Sequence, residues 1–241
     1  VERLGNYTVL TSSMNYATNK QAFAKRTMDI AGGIVGCILT GIIFIFIAPV
    51  IYISSPGPIF FSQTRVGQNG RRFKIYKFRS MYMDAEERKK ELMAQNKMSG
   101  LMFKMDDDPR IIKGIGHFIR DYSIDELPQL FNILIGDMSF IGPRPERPEI
   151  IAQYVEQMPE FVFRMKVKAG LAGYAQVYGK YNTTPYDKLK LDLFYIENYS
   201  VWLDLKLMLL TLKILFTPDS TEGVDEKQVT AMKKQVQEEE K

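Results

Sequence analysis

The longest hydrophobic stretch of this chain lies in its first quarter. Residues 30–53 carry no charged side chain, and residues 42–47 read Ile-Ile-Phe-Ile-Phe-Ile, with no polar position on any helical face. At about 1.5 Å per residue a helix over residues 30–53 would be ~36 Å long, enough to cross the hydrocarbon core of a membrane. A buried core helix is the structural alternative, but the absence of any polar face favours membrane insertion, and a signal peptide is shorter and begins the chain. The pattern therefore predicts a membrane-inserted helix.

Basic residues flank this stretch on both sides. Three lie within residues 20–26 and six within residues 65–79, with no acidic residue in either group. Because positive charge favours the cytoplasmic side, both ends are expected there. A single span cannot satisfy that, whereas a helix that enters, bends and returns can. Pro49 removes a backbone hydrogen bond, and the small Ala48 beside it eases a bend. We therefore predict a re-entrant hairpin over residues 30–53; a kinked span remains the alternative.

A second apolar stretch covers residues 201–216. At 100° per residue, Asp204 and Thr211 share one face and Lys206 and Lys213 lie opposite. The rest is almost entirely hydrophobic. Such a helix is either a core helix or an interfacial helix whose lysines reach the headgroups. The sequence leaves these two interpretations open.

The segments between these helices predict a mainly α-helical α+β fold with a small β-hairpin. Asn69-Gly70 is a two-residue turn signal between residues 64–66 and 73–76. Amphipathic or charged patterns predict helices over residues 148–157 and 84–96, and residues 166–174 read as a basic, glycine-spaced loop. The division of the chain follows composition: a lead-in at 1–24, a main domain at 25–217, and a polar tail at 218–241 that is loosely ordered or a solvated helix.

The composition limits which partners and which kinds of metal site this chain can have. The net charge of +4 and the pI near 8.9 favour acidic partners, such as phosphate-bearing molecules, anionic lipid or nucleic acid. Cys37 is the single cysteine and His117 the single histidine, so an internal disulfide and a Cys/His zinc site are excluded. His117 is expected to be structural. A bound metal would need oxygen ligands, which indicates magnesium or manganese. The chain begins at Val1 rather than methionine, which is compatible with upstream domains.

The adjacent acids Asp125 and Glu126 are the main candidates for chemistry, since Arg120 and Arg144 frame them. Pro128 is best tolerated in the first turn of a helix, so we expect a helix to start near residues 123–126, with both acids ionised at its positive end. An ionised aspartate facing arginines is a reasonable nucleophile toward phosphorus. Ser123 with Glu126 also fits a capping box, a purely structural role. Spacing alone does not decide between them.

Three other functions compete. The acidic run 106–108 could hold magnesium against a diphosphate, as in prenyl-transfer enzymes, although a helix-starting loop explains it as well. Phe73, Tyr76 and Phe78 among basic residues could stack nucleic-acid bases, which the membrane segment disfavours. A membrane-bound scaffold that binds anionic lipid through its basic stretch is the third.

Several separated blocks together resemble the bacterial sugar transferases that load a sugar phosphate onto polyprenol phosphate, the monotopic phosphoglycosyl transferases. The resemblance extends from about residue 25 to residue 216 and makes the main domain the catalytic domain. The blocks are Lys25-Arg26 with Asp29, Pro56-Gly57-Pro58-Ile59-Phe60-Phe61, Lys77-Phe78-Arg79-Ser80-Met81, Asp108-Pro109-Arg110, Asp125-Glu126-Leu127-Pro128-Gln129, Gly136-Asp137-Met138-Ser139, Gly142-Pro143-Arg144-Pro145 and Gly173-Tyr174-Ala175-Gln176.

The resemblance implies a two-step reaction. Asp125 would attack the β-phosphorus of a UDP-sugar, release UMP and hold the sugar phosphate, which undecaprenyl phosphate would then take to start capsule, exopolysaccharide or O-antigen synthesis. It further implies Mg²⁺ at Asp125, Glu126 as a second acid, a place on the cytoplasmic face of the bacterial inner membrane, and no nucleic-acid partner. The implied binding residues are Arg120, Arg144, Lys77 and Arg79 for phosphate, and Tyr174 and Gln176 for nucleotide or sugar.

Two positions depart mildly from the family pattern. Tyr174 stands where tryptophan is frequent, and Ala48 stands where a serine often precedes the bend proline. The second departure leaves the bend to Pro49 with less help from a side chain. The sugar and the oligomeric state, a homo-oligomer included, stay open.

Overall fold

A computed structural model describes residues 2–4, 7–9, 17–91, 108–179 and 183–215. Helices dominate this part of the chain, and the strands form three two-stranded sheets. In chain order the helices are α1 Asn19–Ser54, α2 Ala85–Glu91, α3 Ile115–Asp121, α4 Gln129–Ile135, α5 Pro148–Gln157, α6 Tyr174–Tyr178, α7 Pro185–Glu197 and α8 Val201–Leu215. The strands are β1 Glu2–Leu4, β2 Tyr7–Val9, β3 Phe60–Val66, β4 Arg72–Phe78, β5 Met138–Ile141 and β6 Ala169–Ala172. The predicted α+β class is confirmed.

Helix α1 contains the predicted apolar stretch. It begins with a capping box, in which the Thr18 hydroxyl accepts from the Gln21 backbone N–H and the Gln21 side chain accepts from the Thr18 N–H. The helix runs without an assigned break through Pro49 and ends at Ser54. Most of its apolar side chains are exposed, and by length and composition it can cross a membrane. The bend at Ala48 and Pro49 stays a prediction.

Both halves of α1 pack on the rest of the protein. In the first half Gly33 and Gly36 let the helix approach α4 closely, because a Cβ at Gly36 would lie 2.7 Å from a methyl of Leu130. In the second half Ile47 and Ile51 are buried in one core cluster with Phe78, Ile112 and Ile119. The membrane helix is thus also part of the protein's core.

The predicted hairpin is confirmed with a different turn. Strands β3 and β4 pair antiparallel from Phe60↔Phe78 to Val66↔Arg72. The connection is a five-residue loop instead of a two-residue turn, because the Gly67 N–H donates to the Arg71 carbonyl at 2.8 Å and a short 3₁₀ turn lies between them. Asn69 and Gly70 both adopt positive φ, which explains why the residue pair gave a turn signal.

The prediction of a basic loop over residues 166–174 is wrong in its central part. Residues Ala169–Ala172 form β6, which pairs in parallel with β5 from Met138↔Ala169 to Ile141↔Ala172. Gly170 lies directly against the chain that follows β5, and a Cβ there would come within 2.1 Å of the Gly142 nitrogen. The glycine therefore serves close strand packing.

Helices α5, α7 and α8 cover the main core cluster together with a 3₁₀ segment, Pro159–Lys166. Helix α5 has the predicted bounds. In α8, Leu207 is fully buried and Asp204 bonds inward, whereas Trp202 is 77% exposed. One face of α8 is therefore core, which confirms the first interpretation for that face, and the other face is apolar and exposed. Its placement at a membrane interface stays a prediction.

Two predictions concern residues outside this description. Helix α2 confirms the described part of the charged helix predicted over residues 84–96, and the remainder lies outside the described residues. The polar tail 218–241 and positions 106 and 107 of the acidic run also lie outside them.

Candidate active site

The acid pair lies in a 3₁₀ turn, Ile124–Glu126, between α3 and α4. A helical turn therefore starts within residues 123–126, as predicted, but it is a 3₁₀ turn, and the α-helix α4 starts only at Gln129, after Pro128. Ser123 adopts a left-handed conformation (φ 53°) and its side chain makes no capping hydrogen bond. The capping box is therefore not formed, and the carboxylate of Glu126 points to other partners.

Glu126 binds two cations. Its Oε1 accepts from Lys77 Nζ at 2.5 Å and from Arg144 Nη2 at 3.3 Å. Burial acts to raise the pKa of Glu126, but Arg144 and Lys77 outweigh it and lower the pKa to about 2. Glu126 is therefore ionised at neutral pH and serves as the fixed counter-charge of these two side chains.

Asp125 has a different environment. Its side chain is 7% exposed, and its carboxylate accepts no hydrogen bond from any residue that the structure describes. Burial raises the pKa of Asp125, the positive charge of Lys77 partly offsets this, and Glu126 adds repulsion. The positive charges that act on Asp125 come from Lys77, Arg120 and Arg144. The two neighbouring acids thus have pKa values shifted in opposite directions.

Arg144 lies on the loop after β5, and its side chain is 49% exposed. The backbone of this loop is held by two other arginines. Arg164 donates to the Arg144 carbonyl at 3.0 Å, and Arg65 donates to the Pro145 carbonyl at 3.1 Å. Arg164 is itself fixed by Asp192 through bonds of 2.9 and 2.7 Å. This arrangement presents the Arg144 guanidinium toward solvent beside the acid pair.

Sequence reasoning missed Arg164 and Asp192 as part of this support. The available signal was a charged residue inside an apolar segment: Arg164 stands within Phe-Val-Phe-Arg-Met and Asp192 within Leu-Asp-Leu-Phe. A charge in that position is usually paired when buried.

The remaining predicted phosphate ligands separate into two groups. Arg120 is exposed on α3, and its Nη1 donates to the Ser80 hydroxyl at 3.5 Å. The positive charge of Arg120 lowers the pKa of Asp125, against the effect of burial. Arg79 is buried, and it donates to the Ser55 carbonyl where α1 ends. None of the described contacts of Arg79 is with the acid pair. The structure thus gathers Asp125, Glu126, Lys77, Arg120 and Arg144.

The predicted nucleotide or sugar ligands lie in α6. Tyr174 stacks with Tyr178 and Phe194, with ring centroids 4.5 and 5.0 Å apart, and Gln176 donates to the Leu171 carbonyl. These contacts are part of the protein's own packing. Within the described residues, neither side chain contacts the acid pair.

The rival sites find no support. Asp108 is buried and binds Arg110 through two side-chain hydrogen bonds, so it is a structural acid. Phe73 and Phe78 are buried and cannot stack bases, which rules out that aromatic face. Across the described residues no group of three His, Cys, Asp or Glu side chains forms a metal cluster.

Comparison with known proteins adds the family. A family model described as bacterial sugar transferase matches residues 20–218. A galactosyl transferase, CpsE, of Streptococcus agalactiae is 47% identical over 89% of this chain and 47% of its own length. The UDP-N-acetylgalactosamine-undecaprenyl-phosphate N-acetylgalactosaminephosphotransferase of Aeromonas hydrophila is 39% identical over 81% of this chain and 44% of its length. The undecaprenyl-phosphate glucose phosphotransferase of Komagataeibacter xylinus is 38% identical over 88% of this chain and 40% of its own length. The chain spans less than half the length of these three relatives.

Proposed function

The chain belongs to the bacterial sugar transferase family, and on that premise we propose that it transfers a sugar 1-phosphate from a UDP-sugar to undecaprenyl phosphate. The products are UMP and an undecaprenyl-diphosphate sugar. Two of the relatives carry undecaprenyl phosphate in their names, which supports the acceptor. Their names differ in the sugar, so the donor's sugar is left to experiment.

In the first step Asp125 is the nucleophile. A carboxylate oxygen of Asp125 forms a bond to the β-phosphorus of the UDP-sugar, and the bond from that phosphorus to the oxygen bridging to the α-phosphate breaks. UMP leaves with the bridging oxygen and its electron pair, and the sugar phosphate stays on the aspartate. In the second step a phosphate oxygen of undecaprenyl phosphate attacks the same phosphorus and displaces Asp125. No net proton transfer is needed, because all reacting oxygens are anionic.

One observation carries this assignment: of two adjacent acids, the half-buried Glu126 binds Lys77 and Arg144 through Oε1, whereas the buried Asp125 accepts no hydrogen bond from the described residues. Glu126 holds Lys77 and Arg144 in place, and those cations, with Arg120, face the position where the phosphates of the donor would lie. Planar arginine donors bind phosphate oxygens in pairs. Phosphoryl transfer depends mainly on positioning and charge neutralisation, which this arrangement provides.

A magnesium ion fits the same site. Mg²⁺ is commonly bound through one or two carboxylates plus substrate phosphates, and the oxygens of Asp125 accept no hydrogen bond within the described ranges. Asp125 would hold the ion, with Glu126 as the adjacent acid. When bound, the ion would neutralise negative charge on the diphosphate.

We place the protein in the bacterial inner membrane, on its cytoplasmic face, with α1 entering, bending at Ala48 and Pro49, and returning. Contacts at the two ends of α1 support this topology. Near its start Lys25 donates to the Ile141 carbonyl at 3.0 Å, and at its end Arg79 donates to the Ser55 carbonyl. Contacts of both ends of α1 with the same folded body favour a path that returns to one side of the membrane over a full crossing. The soluble nucleotide and the lipid acceptor would then meet beside α1.

The test is a covalent trap read by intact mass. The full chain in detergent is mixed with UDP-glucose, UDP-galactose and UDP-N-acetylgalactosamine without lipid acceptor, and both UMP and protein mass are measured. We expect one UMP per chain and a mass increase of one sugar phosphate with the correct donor. Addition of undecaprenyl phosphate should remove the adduct and start turnover.

Asp125→Asn and Glu126→Gln form the matched pair of variants. Asp125→Asn should form no adduct and lose turnover by at least about a thousandfold, as expected for a nucleophile. Glu126→Gln should still form the adduct, more slowly. An adduct in Asp125→Asn would refute the assignment of the nucleophile, and turnover with no adduct in the unaltered chain would refute the two-step route.

A further inference from the structure

A second cationic cleft lies beside the start of α1, apart from the acid pair. It has a volume of about 360 Å³ and shares no lining residue with Asp125, Glu126, Lys77, Arg120 or Arg144. Its walls include the beginning of α1, the segment before β6 and the end of α7. Four of its lining side chains are basic: Lys25, Arg26, Lys166 and Lys168.

Two of these cations have no acidic partner among the described residues. Lys168 is half-buried, and burial together with the nearby charge of Arg26 lowers the pKa of Lys168. Arg26 donates to the carbonyls of Ile133 and Leu134 at 2.9 and 2.8 Å, which are neutral acceptors at the end of α4. Asp29 and Asp137 offset part of this positive charge, but neither forms an ion pair with Lys168 or Arg26 among the described residues.

The acids nearby are already occupied. Asp29 accepts from the Ser139 hydroxyl at 2.9 Å and from the Phe140 N–H at 3.1 Å. Asp204 accepts from Lys25 at 2.6 Å and from the Tyr195 hydroxyl at 2.7 Å. Asp204 is therefore paired with Lys25, whereas Asp29 keeps its negative charge because its donors are neutral. The four basic side chains that line the cleft still outnumber these two carboxylates.

The cleft also contains a buried donor that lacks a partner. Tyr199 lines the cleft, and its hydroxyl is enclosed without a hydrogen-bond partner in the part of the chain described. Lys25 lies 5.5 Å from the centre of the Tyr199 ring. A buried hydroxyl without a partner is costly, and an anion in the cleft would satisfy it.

From these observations we infer that the cleft is a second phosphate-binding site, in which Lys168, Arg26 and Tyr199 bind a phosphate ester. Arginine and lysine together suit phosphate oxygens, and the hydroxyl supplies a third donor. The cleft lies next to the apolar stretch of α1 and the first turn of α8, where Trp202 is exposed. The phosphate can therefore come from an anionic lipid headgroup or from a soluble phosphate ester. This site is separate from the proposed reaction.

The test measures ligand binding to the full chain in neutral detergent. Phosphatidylglycerol, diacylglycerol with the same acyl chains, and inorganic phosphate are titrated, and bound molecules are counted by native mass spectrometry. Lys168→Gln should weaken phosphatidylglycerol binding about fivefold or more, since it removes one charge-assisted contact. Tyr199→Phe should weaken it less. Lys113→Gln removes an exposed lysine outside the cleft and should change binding less than about twofold.

Arg144→Gln separates this site from the acid pair. Binding that survives in Arg144→Gln and falls in Lys168→Gln belongs to the cleft, whatever the outcome of the adduct experiment. Binding of phosphatidylglycerol alone would identify a lipid headgroup as the source, and binding of inorganic phosphate as well would show that the phosphate suffices. Equal binding of diacylglycerol, no binding of any ligand, or loss only in Arg144→Gln would overturn the inference.

Discussion

Two clusters of acidic and basic residues in this protein differ in whether every carboxylate is paired with a cation. In the Arg164–Asp192 pair, one acid meets one arginine through two hydrogen bonds, and both side chains are almost fully buried. In the acid pair, Glu126 forms ion pairs with Lys77 and Arg144, and Asp125 forms none with any described residue. The first cluster is closed and supports the loop that carries Arg144. The second keeps one carboxylate without a partner, which is what a nucleophile requires.

The comparison shows where stability is given up for reactivity. A buried acid with a full set of bonds is matched to its surroundings, whereas a buried acid without them is destabilising when ionised. Asp125 has this second character, because burial raises its pKa. Three measurements would sharpen or break the contrast.

The largest effect is expected at the closed pair. Asp192→Leu leaves the charge of Arg164 buried without its partner, so we expect a loss of about 3–5 kcal/mol in the free energy of unfolding. The measurement is chemical unfolding of the full chain in detergent. The double variant Arg164→Met with Asp192→Leu should recover most of the stability but turn over slowly, because the Arg144 carbonyl has lost its donor. A double variant with normal turnover would show that this bond does not position Arg144.

The second effect is a decrease of stability at low pH. Because the pKa of Glu126 lies at about 2 in the folded protein and near 4.3 in the unfolded chain, its contribution is complete above ~pH 4.3 and is lost as the pH falls toward about 2. We expect the melting temperature to fall over this window. In Glu126→Gln the fall should be shallower, because the contribution of Glu126 is missing. It should not vanish, because Asp108, whose pKa is also lowered, still contributes. Identical profiles would contradict the ion pairs of Glu126.

The smallest effect has the opposite sign. A carboxyl with a raised pKa in the folded state is destabilising while ionised, so Asp125→Asn should gain about 1 kcal/mol at pH 7 even as it loses activity. This gain should shrink as the pH falls and Asp125 takes up a proton. Thermal unfolding at pH 7 and pH 5 measures both. A loss of stability in Asp125→Asn would show that Asp125 is a structural acid.

Local signals predicted the local parts of this fold. Helix α5 has its predicted bounds because Pro148 suits the first turn and Met158-Pro159 ends the pattern. The hairpin of β3 and β4 followed from Asn69-Gly70 between two extended segments. The grouping of Asp125, Glu126, Arg120 and Arg144 was likewise expected from a short stretch of chain.

Contacts between distant residues account for what was missed. Strand β6 contains Ala, Gly and Leu, which give no strand signal, and its partner β5 lies about thirty residues earlier. The Ser123–Glu126 spacing suggested a capping box, but Lys77, 49 positions away, binds the glutamate. Arg79 was expected at the phosphates and instead binds where α1 ends. Each of these outcomes depends on tertiary neighbours that spacing cannot show.

The packing of α1 also bears on how this protein is made and handled. Ile47 and Ile51 are buried with Phe78, Ile112 and Ile119, so the long apolar helix completes the core of the domain. Helix α1 precedes in the chain the strands and helices that pack on it, so it is synthesised first and these later segments pack onto it afterwards. Cutting α1 away to obtain a soluble enzyme would open the core. Helix α1 is an integral part of the domain's core, and it is not a detachable tether.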